Sequence, residues 1–267
     1  MKQIEVRDVH FEYQTEQEIL KGLSFTIDQR PTAIIGQNGA GKSTLVKLIK
    51  GLIRPTKGKI LINQEDIAQK TVAQIAKQVG LVFQNPDDQI FKHTVLDEVL
   101  FGPLQIGLQK KEAKTAAREA LELLGLEGLE KVNPYDLGLS ERKLVSIAAI
   151  IAMDTDIVIF DEPTIAQDAM GKQRIQHLIR RLREQGKLVI SILHDMDFVA
   201  ETFERVLVFG NGEVLLDGST KEVFSHKDII EEAALTLPTT AQLCYSLGCN
   251  ELFLTPQDFI DDQKAQS

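Results

Sequence analysis

The amino-acid sequence predicts an α/β protein built on a mainly parallel sheet, and three observations support this prediction. Short apolar runs alternate with segments of helical periodicity, a glycine-rich turn joins one apolar run to a helical pattern, and several apolar runs end in polar residues. Strands of a parallel sheet are buried on both faces and therefore appear as continuous apolar runs. In such sheets ligands bind at the carboxyl ends of the strands, so the polar residues there are the first candidates for a functional site.

The composition narrows the class of protein. The chain has 267 residues, of which 43% are hydrophobic, enough for one large domain or a domain with a small appendage. A net charge of −9 argues against nucleic acid as a partner. The longest apolar run, about Leu144–Met153, is shorter than the roughly 20 residues that span a bilayer, and the N-terminus lacks the apolar region of a secretion signal. The cysteines, Cys244 and Cys249, are expected to be reduced thiols rather than metal ligands.

The elements can be placed in order along the chain. Two β-like segments, Ile4–Tyr13 and Leu23–Asp28, come first. The further predicted strands are Thr32–Gly36, Lys59–Ile67, Gly80–Gln84, Ile157–Pro163 and Leu188–Asp195, and the clearest predicted helices are Ser43–Leu52, Lys110–Leu126 and Ala169–Gly186. A mostly helical pattern over residues 86–154 interrupts the alternation and predicts a helical insert. The alternation stops near residue 225, so residues 1–225 form the predicted main domain and 226–267 a small helical extension, which is a candidate dimerisation element.

The glycine-rich turn reads GQNGAGKST and matches the G-x-x-x-x-G-K-[ST] pattern of a phosphate-binding loop, in the strand-to-helix context that the pattern requires. Its glycines let backbone N–H groups turn towards phosphate oxygens, and the following helix N-terminus adds a partial positive charge. We expect Lys42 to contact the β- and γ-phosphates and Ser43 to contact Mg²⁺. The candidate nucleotide-binding residues of this loop are Gly36, Gln37, Asn38, Gly39, Ala40, Gly41, Lys42, Ser43 and Thr44.

Polar residues follow three other predicted strands. Asp161 and Glu162 end one of them, where Asp161 can hold Mg²⁺ through water and Glu162 can polarise the attacking water. His194 ends a neighbouring strand and is a candidate contact to the γ-phosphate. Gln84 ends a third, and its amide can hold the water or Mg²⁺ and signal their presence to the helical insert.

These residues, in this order, resemble the nucleotide-binding subunit of an ATP-binding-cassette (ABC) transporter over about residues 1–225. The resemblance implies a P-loop NTPase cassette with an N-terminal antiparallel β-subdomain, and ATP and Mg²⁺ as ligands. It makes Gly36–Thr44 the Walker A loop, Gln84 the Q-loop and Asp161-Glu162 the end of Walker B. His194 becomes the switch histidine and Asp168 the aspartate of the D-loop. Tyr13 matches the aromatic that stacks on adenine, with Phe11 as the alternative.

A closer resemblance, to the ATPases of energy-coupling factor (ECF) transporters of the CbiO type, lies in the Q-loop region FQNPDDQIFKHTVLDEVLFGPLQIGL. NPYDL before residue 138 and the extended C-terminus also fit that family. In that family the second glutamine, here Gln89, starts a short helix after the Q-loop. The resemblance implies uptake of a vitamin or transition-metal ion, energised from the cytoplasmic face of the membrane. The implied partners are a second ATPase, a transmembrane coupling subunit and a substrate-binding membrane subunit. An ordinary ABC importer is the alternative, followed by a soluble ABC ATPase and by a regulator that binds nucleotide without hydrolysis.

The stretch DLGLSERKLVSIA matches the family's signature, L-S-G-G-Q followed by a helix, with altered central residues. The apolar pattern of the helix that follows matches the family's helix only if the signature is Leu137, Gly138, Leu139, Ser140 and Glu141. Moving the signature by two residues would rotate the helix by about 200° relative to that pattern. This signature has glycine in place of the family's serine, so it lacks the hydroxyl that contacts the γ-phosphate. Leucine and serine replace the two glycines, and a glutamate adds a carboxylate close to where the phosphate would bind. The D-loop also differs from the family's pattern, because Ile165 replaces a small residue and Gln167 replaces a leucine. In the family a signature serves the partner's ATP site, so we expect a heterodimer with one strong and one weak site, with a homodimer as the alternative.

Overall fold

The computed structural model describes residues 2–13, 17–249 and 251–265. Its strands form two sheets, one antiparallel and one mainly parallel, with helices packed around them. The strands are β1 (Ile4–Glu12), β2 (Glu18–Ile27), β3 (Thr32–Gly36), β4 (Lys57–Ile62), β5 (Glu65–Asp66), β6 (Val79–Val82), β7 (Ile157–Asp161), β8 (Leu188–Ile192), β9 (Arg205–Gly210) and β10 (Glu213–Ser219). The α/β class with a mainly parallel core is confirmed.

The larger sheet has the order β10-β9-β3-β8-β7-β6. Strands β9, β3, β8, β7 and β6 run parallel, and β10 closes one edge as the antiparallel arm of a hairpin with β9. Strand β3 lies between β8 and β9, and β7 lies on the other side of β8. The carboxyl ends of β3, β7 and β8, where the sequence predicts polar site residues, therefore lie side by side.

The smaller sheet, in the order β2-β1-β4-β5, is antiparallel, and its buried residues share a core with α1 and one face of the larger sheet. One predicted strand, Lys59–Ile67, is two strands in the structure, because Asn63 and Gln64 adopt left-handed backbone angles (φ 51° and 70°) and turn the chain back on itself. This turn chemistry is typical of asparagine in a two-residue hairpin loop.

The helices are α1 (Lys42–Ile49), α2 (Val72–Ala76), α3 (Val95–Gln105), α4 (Lys110–Leu123), α5 (Leu139–Ile151), α6 (Ala169–Glu184), α7 (Met196–Thr202), α8 (Thr220–Ser225), α9 (Lys227–Glu232), α10 (Thr239–Leu247) and α11 (Pro256–Ala265). Helices α3, α4 and α5 lie between β6 and β7 and form the helical insert. No helix in the described part of the chain is both long and apolar enough to cross a bilayer.

The segment after residue 225 divides its apolar side chains between the core and the surface. Ile230, Leu237 and Ala241 are buried in the same core that lies beneath the parallel sheet. Leu243 and Leu247, one turn apart on α10, remain 46% and 62% exposed. The extension therefore packs on the parent domain and still presents an apolar surface of its own.

Candidate nucleotide-binding and catalytic site

A cavity of ≈ 250 Å³ lies at the carboxyl ends of β3, β7 and β8. Its lining combines most of the residues that the sequence predicts for a nucleotide site with two isoleucines that sequence reasoning missed. The lining residues are Tyr13, Ile19, Asn38, Gly39, Gly41, Lys42, Ser43, Thr44, Gln84, Asp161, Glu162, Ile192 and His194. Ile19 and Ile192 belong to the apolar patterns of β2 and β8, which carry no signal of ligand contact.

The loop between β3 and α1 surrounds the ammonium group of Lys42. The side chain is buried, and its Nζ donates to the backbone carbonyls of Gly36 at 2.6 Å and Gln37 at 2.9 Å. Burial lowers the pKa of Lys42, and the nearby carboxylates of Glu162 and Asp161 oppose that shift. The ammonium group is thus already positioned in the loop, and phosphate oxygens of a bound nucleotide can replace the carbonyl oxygens as its hydrogen-bond acceptors.

Two glycines of this loop are required by geometry. A Cβ at Gly36 would lie 2.3 Å from the carbonyl oxygen of Phe209, and one at Gly41 would lie 2.5 Å from Leu20 Cδ2. Gly41 has a φ of 99° directly before α1, and no side chain caps that helix. The first backbone N–H groups of α1 therefore lack the side-chain acceptor that often satisfies them, which is the arrangement of an anion-binding helix N-terminus.

Oxygen donors suited to Mg²⁺ meet beside this loop. The Ser43 side chain, the Asp161 carboxylate and the amide of Gln84 line the same cavity. Burial raises the pKa of Asp161, and the ammonium groups of Lys143 and Lys42 oppose the shift. A hydroxyl, an amide oxygen and a single carboxylate are a donor set that fits Mg²⁺, which commonly binds one or two carboxylates together with substrate phosphates and retained waters.

Glu162 is the most strongly perturbed acid of the site. The side chain is buried, and desolvation, followed by the charge of Asp161, raises its pKa to about 7. Its backbone has a φ of 50°, an uncommon conformation for a non-glycine residue. Its N–H is held by the carbonyl of Ile192 at 3.1 Å. An acid with a pKa near neutrality is suited to accept a proton from an attacking water.

His194 reaches Glu162 from the end of β8. Its Nε2 lies 3.1 Å from Glu162 Oε1, and the ring is partly exposed to the cavity. Burial, followed by the charge of Lys42, lowers the pKa of His194, so the neutral imidazole is favoured. A neutral histidine beside a carboxyl group can orient it and can also face a phosphate oxygen.

The two aromatic candidates for the adenine contact differ in exposure. Tyr13 is 55% exposed and its hydroxyl lies 3.5 Å from Thr44 Oγ1, at the mouth of the cavity. Phe11 is buried and packs edge-on against the Tyr13 ring, with the centroids 4.8 Å apart. Tyr13 is therefore the candidate whose side chain is exposed, as stacking on a base requires.

Lys143 is a buried residue that sequence reasoning missed. Its Nζ donates to the carbonyl oxygens of Phe83 at 2.6 Å, Gln84 at 2.8 Å and Asp161 at 3.2 Å, and burial lowers its pKa to about 8. One ammonium thus connects the Q-loop, the end of β7 and helix α5. A lysine directly before the apolar run of α5 was the available signal.

The prediction that Gln89 starts a short helix is wrong. A single 3₁₀ turn spans Pro86–Asp88, capped by the Asn85 side chain, and Gln89 follows it. Proline at the first position fixes the start of the turn, because its φ is preset and it has no N–H to satisfy. The Gln89 amide instead accepts from Phe83 N at 3.1 Å and donates to Ser146 O at 2.7 Å, fastening the Q-loop to α5.

The altered signature lies outside this cavity, at the start of α5. The Glu141 carboxylate accepts the N–H of Gly138 at 3.3 Å, so it serves its own helix N-terminus. Leu139 is 48% exposed, while Ser140 is hydrogen-bonded to Gln167. Asp168 also lies outside the cavity and caps α6 through the N–H of Gly171 at 2.7 Å.

Comparison with known proteins agrees with this geometry. The sequence profile described as "ABC transporter" matches residues 20–165. The energy-coupling factor transporter ATP-binding protein EcfA of Methanocaldococcus jannaschii is 41% identical over 243 residues, which covers 90% of this chain and 87% of that protein. The EcfA protein of Methanoculleus marisnigri is 37% identical over 266 residues, covering 99% of this chain and 96% of its relative.

Solved structures show the same fold. CbiO1 of Clostridium perfringens, described as part of the ABC transporter complex cbiONQ, has a TM-score of 0.76 and 33% identity and covers 86% of this chain and 93% of its own. A dimeric ATP-binding cassette in a post-hydrolysis state, bound to ADP and Pi, has a TM-score of 0.74 and 26% identity, covering 81% of this chain and 98% of its own. The chain belongs to the ABC transporter family, as an ATP-hydrolysing, ATP-binding protein of the energy-coupling factor type.

Proposed function

We propose that the chain is one of two ATPases that energise uptake of a vitamin or transition-metal ion by an ECF transporter, acting at the cytoplasmic face of the membrane. The observation that carries the proposal is the assembly of Lys42, Ser43, Glu162 and His194 in one cavity, in a chain with EcfA relatives. Those relatives favour the ECF type over an ordinary importer. The partners would be the second ATPase, a transmembrane coupling subunit and a substrate-binding membrane subunit, with no role for nucleic acid.

The residues of the cavity suggest how ATP is bound and hydrolysed. Tyr13 stacks on the adenine, the Walker A amides and Lys42 hold the β- and γ-phosphates, and Glu162 accepts a proton from the attacking water. His194 holds the Glu162 carboxylate and faces the γ-phosphate. Mg²⁺, which Ser43, Gln84 and Asp161 would hold, neutralises phosphate charge when bound.

The surface around Gln84–Phe101 is the proposed docking site for the transmembrane subunit. Phe91 is 55% exposed, and Lys92 Nζ lies 4.7 Å from its ring centroid and 4.6 Å from that of Phe101. The buried carboxylate of Glu98 accepts the N–H groups of Phe91 at 2.9 Å and Lys92 at 2.8 Å. These two hydrogen bonds fix the backbone that carries the exposed Phe91 ring, which lowers the entropy cost of binding a partner.

The altered signature supports a heterodimer. Leu137–Glu141 lies away from the chain's own cavity, so in the proposed pair it faces the partner's nucleotide. It offers no serine at Gly138, and the carboxylate of Glu141 lies at the same helix end. The site formed by this chain's Walker residues and an intact partner signature would be strong, and the opposite site weak.

Co-purification tests the transporter assignment. Affinity-tagged chain isolated from gently solubilised membranes should bring a second ATPase and integral membrane subunits, and the Glu162→Gln variant should bring the same proteins. Recovery with ribosomes or DNA, and without membrane subunits, would contradict the proposal and favour a soluble ABC ATPase.

Paired glutamate variants test the asymmetry. Glu162→Gln in this chain should reduce ATP hydrolysis by the complex much more than the equivalent change in the partner. At the weak site the signature lacks the serine hydroxyl that would donate to the charged γ-phosphate. The loss of such a hydrogen bond costs about 1.5–3 kcal/mol, or roughly 10- to 100-fold in rate, so the weak site contributes little hydrolysis to lose. Equal losses of ATPase and uptake activity would mean that the two sites are equivalent.

A further inference from the structure

The two departures from the family's pattern, one in the signature and one in the D-loop, contact each other in this structure. The Ser140 hydroxyl donates to Gln167 Oε1 at 3.1 Å, and Gln167 Nε2 donates to the backbone carbonyl of Ser140 at 3.1 Å. Both polar atoms of the Gln167 amide are therefore engaged by one residue of the signature. The family's leucine at position 167 and glycine at position 140 could form neither side-chain bond.

A third residue accommodates this contact. Gly171 lies in the first turn of α6, and a Cβ placed on it would be 2.2 Å from Gln167 Oε1 and 3.1 Å from Gln167 Cδ. The amide of Gln167 thus fills the space that a side chain at position 171 would need. A side chain at position 171 would therefore displace the Gln167 amide from its contact with Ser140.

The same loop leads back to the catalytic acid. The N–H of Gln167 donates to Thr164 O at 3.1 Å, and the N–H of Ile165 donates to Glu162 O at 3.4 Å. Ala166 adopts a left-handed φ of 61° between them. Gln167 therefore stands at the end of a short hydrogen-bonded loop that begins at Glu162.

We propose that Gln167 is a positioning residue that locks the signature turn Leu137–Glu141 against the D-loop of the same chain, keeping the Ser140 hydroxyl turned away from the partner's nucleotide. This inference rests on the proposed pairing with a second ATPase, because the locked turn acts on the partner's site. Turnover there is then limited by the lock as well as by the missing serine. Restoring Ser-Gly-Gly-Gln at Gly138–Glu141 leaves Gln167 Nε2 on the carbonyl of residue 140, so repair of the signature alone releases only part of the restraint.

The lock is tested first in this chain alone, by amide hydrogen exchange over residues 136–144. Gln167→Leu, which supplies the family's residue, should speed exchange in this segment by about 2- to 10-fold, the effect of one or two neutral hydrogen bonds. Ser140→Ala, which keeps the bond to the backbone carbonyl, should give a smaller increase. Gln176→Leu is the matched control, because Gln176 lies on α6, just after the D-loop, and its amide donates to Glu201 O at 3.4 Å and Thr202 Oγ1 at 3.3 Å, away from the signature. Unchanged exchange in Gln167→Leu would overturn the lock.

The second test uses the purified pair of ATPases with this chain's own site silenced by Glu162→Gln, so that only the partner's site turns over. Repair of the signature should raise kcat modestly, and repair combined with Gln167→Leu should raise it by a further 2- to 10-fold, with little change in KM. A full gain from the repair alone would overturn the inference. If the chain forms no pair, or the partner's site ignores every signature variant, the proposed function fails, while hydrogen exchange still decides whether the lock exists.

Discussion

The pH dependence of ATP hydrolysis should reveal the unusual environment of Glu162. If this carboxylate accepts the proton of the attacking water, the rate depends on its ionised form. Its pKa is raised from 4.5 to about 7, chiefly by desolvation. About 91% of the groups in the nucleotide-free chain are then ionised at pH 8 and about 9% at pH 6, which predicts a roughly tenfold fall in kcat/KM between these values.

The assay is steady-state hydrolysis at Mg²⁺-ATP concentrations well below KM, which measures kcat/KM, from pH 5 to 8.5. The same profile is then recorded for two variants. Glu162→Gln should hydrolyse ATP at least about 100-fold more slowly, and its residual activity should no longer fall as the pH drops below 7, the acidic limb of the profile. His194→Gln should be slower but should keep that limb, because burial of the glutamate, and not the histidine, is the main cause of the shift. A wild-type profile that stays flat down to pH 5 would refute the assignment of Glu162 as the proton acceptor.

The same shift predicts an effect on stability, and its sign follows from linkage. A carboxyl whose folded-state pKa is raised contributes stability that is fully present below its unfolded pKa, near 4.5, and lost as the pH rises through about 7. Glu162→Gln, which cannot ionise, should therefore raise the melting temperature of the nucleotide-free chain more at pH 8 than at pH 5. Equal changes at both pH values would contradict the desolvation argument.

Three further outcomes are expected. Lys42→Ala should weaken ATP binding by roughly 10- to 100-fold, since the phosphates lose a charged donor, and wild-type affinity by calorimetry would contradict the phosphate-loop assignment. A cysteine at the exposed Phe91 should cross-link to a membrane subunit while one at the similarly exposed Leu52 should not, and the reverse pattern would move the docking site. Leu243→Ser combined with Leu247→Ser should weaken pairing of the ATPases in analytical ultracentrifugation if α10 helps to hold them together, and unchanged pairing would leave the extension a purely intramolecular role.

The sequence predicted the parts of the site that depend on short local patterns. The loop around Lys42 and the acids after β7 were found because buried strands read as apolar runs and their polar ends stand out. The mainly parallel core followed from the same alternation. The site assignments of Gln84 and His194 came from strand ends too, and the structure brings both into the cavity.

Other features were not predictable because they depend on contacts between distant segments. Lys143 reaches Phe83 and Asp161 only after α5 packs beneath the sheet. Gln89 was expected to begin a helix, whereas a proline three residues earlier starts the turn and leaves its amide free to reach α5. The contact between Ser140 and Gln167 joins residues 27 positions apart, and no local pattern reports it.

The burial of Ile230 and Ala241 in the main core has a consequence for protein engineering. Exchanging the C-terminal extension between related ATPases changes the hydrophobic core, because the side chains of each extension have their own volumes and pack inside the main domain. A chimera that grafts a foreign tail will leave voids or clashes under the sheet unless the matching cassette residues travel with it. Diversification of this segment among related ATPases should therefore concentrate on the exposed face of α10, where Leu243 and Leu247 can change without disturbing the fold.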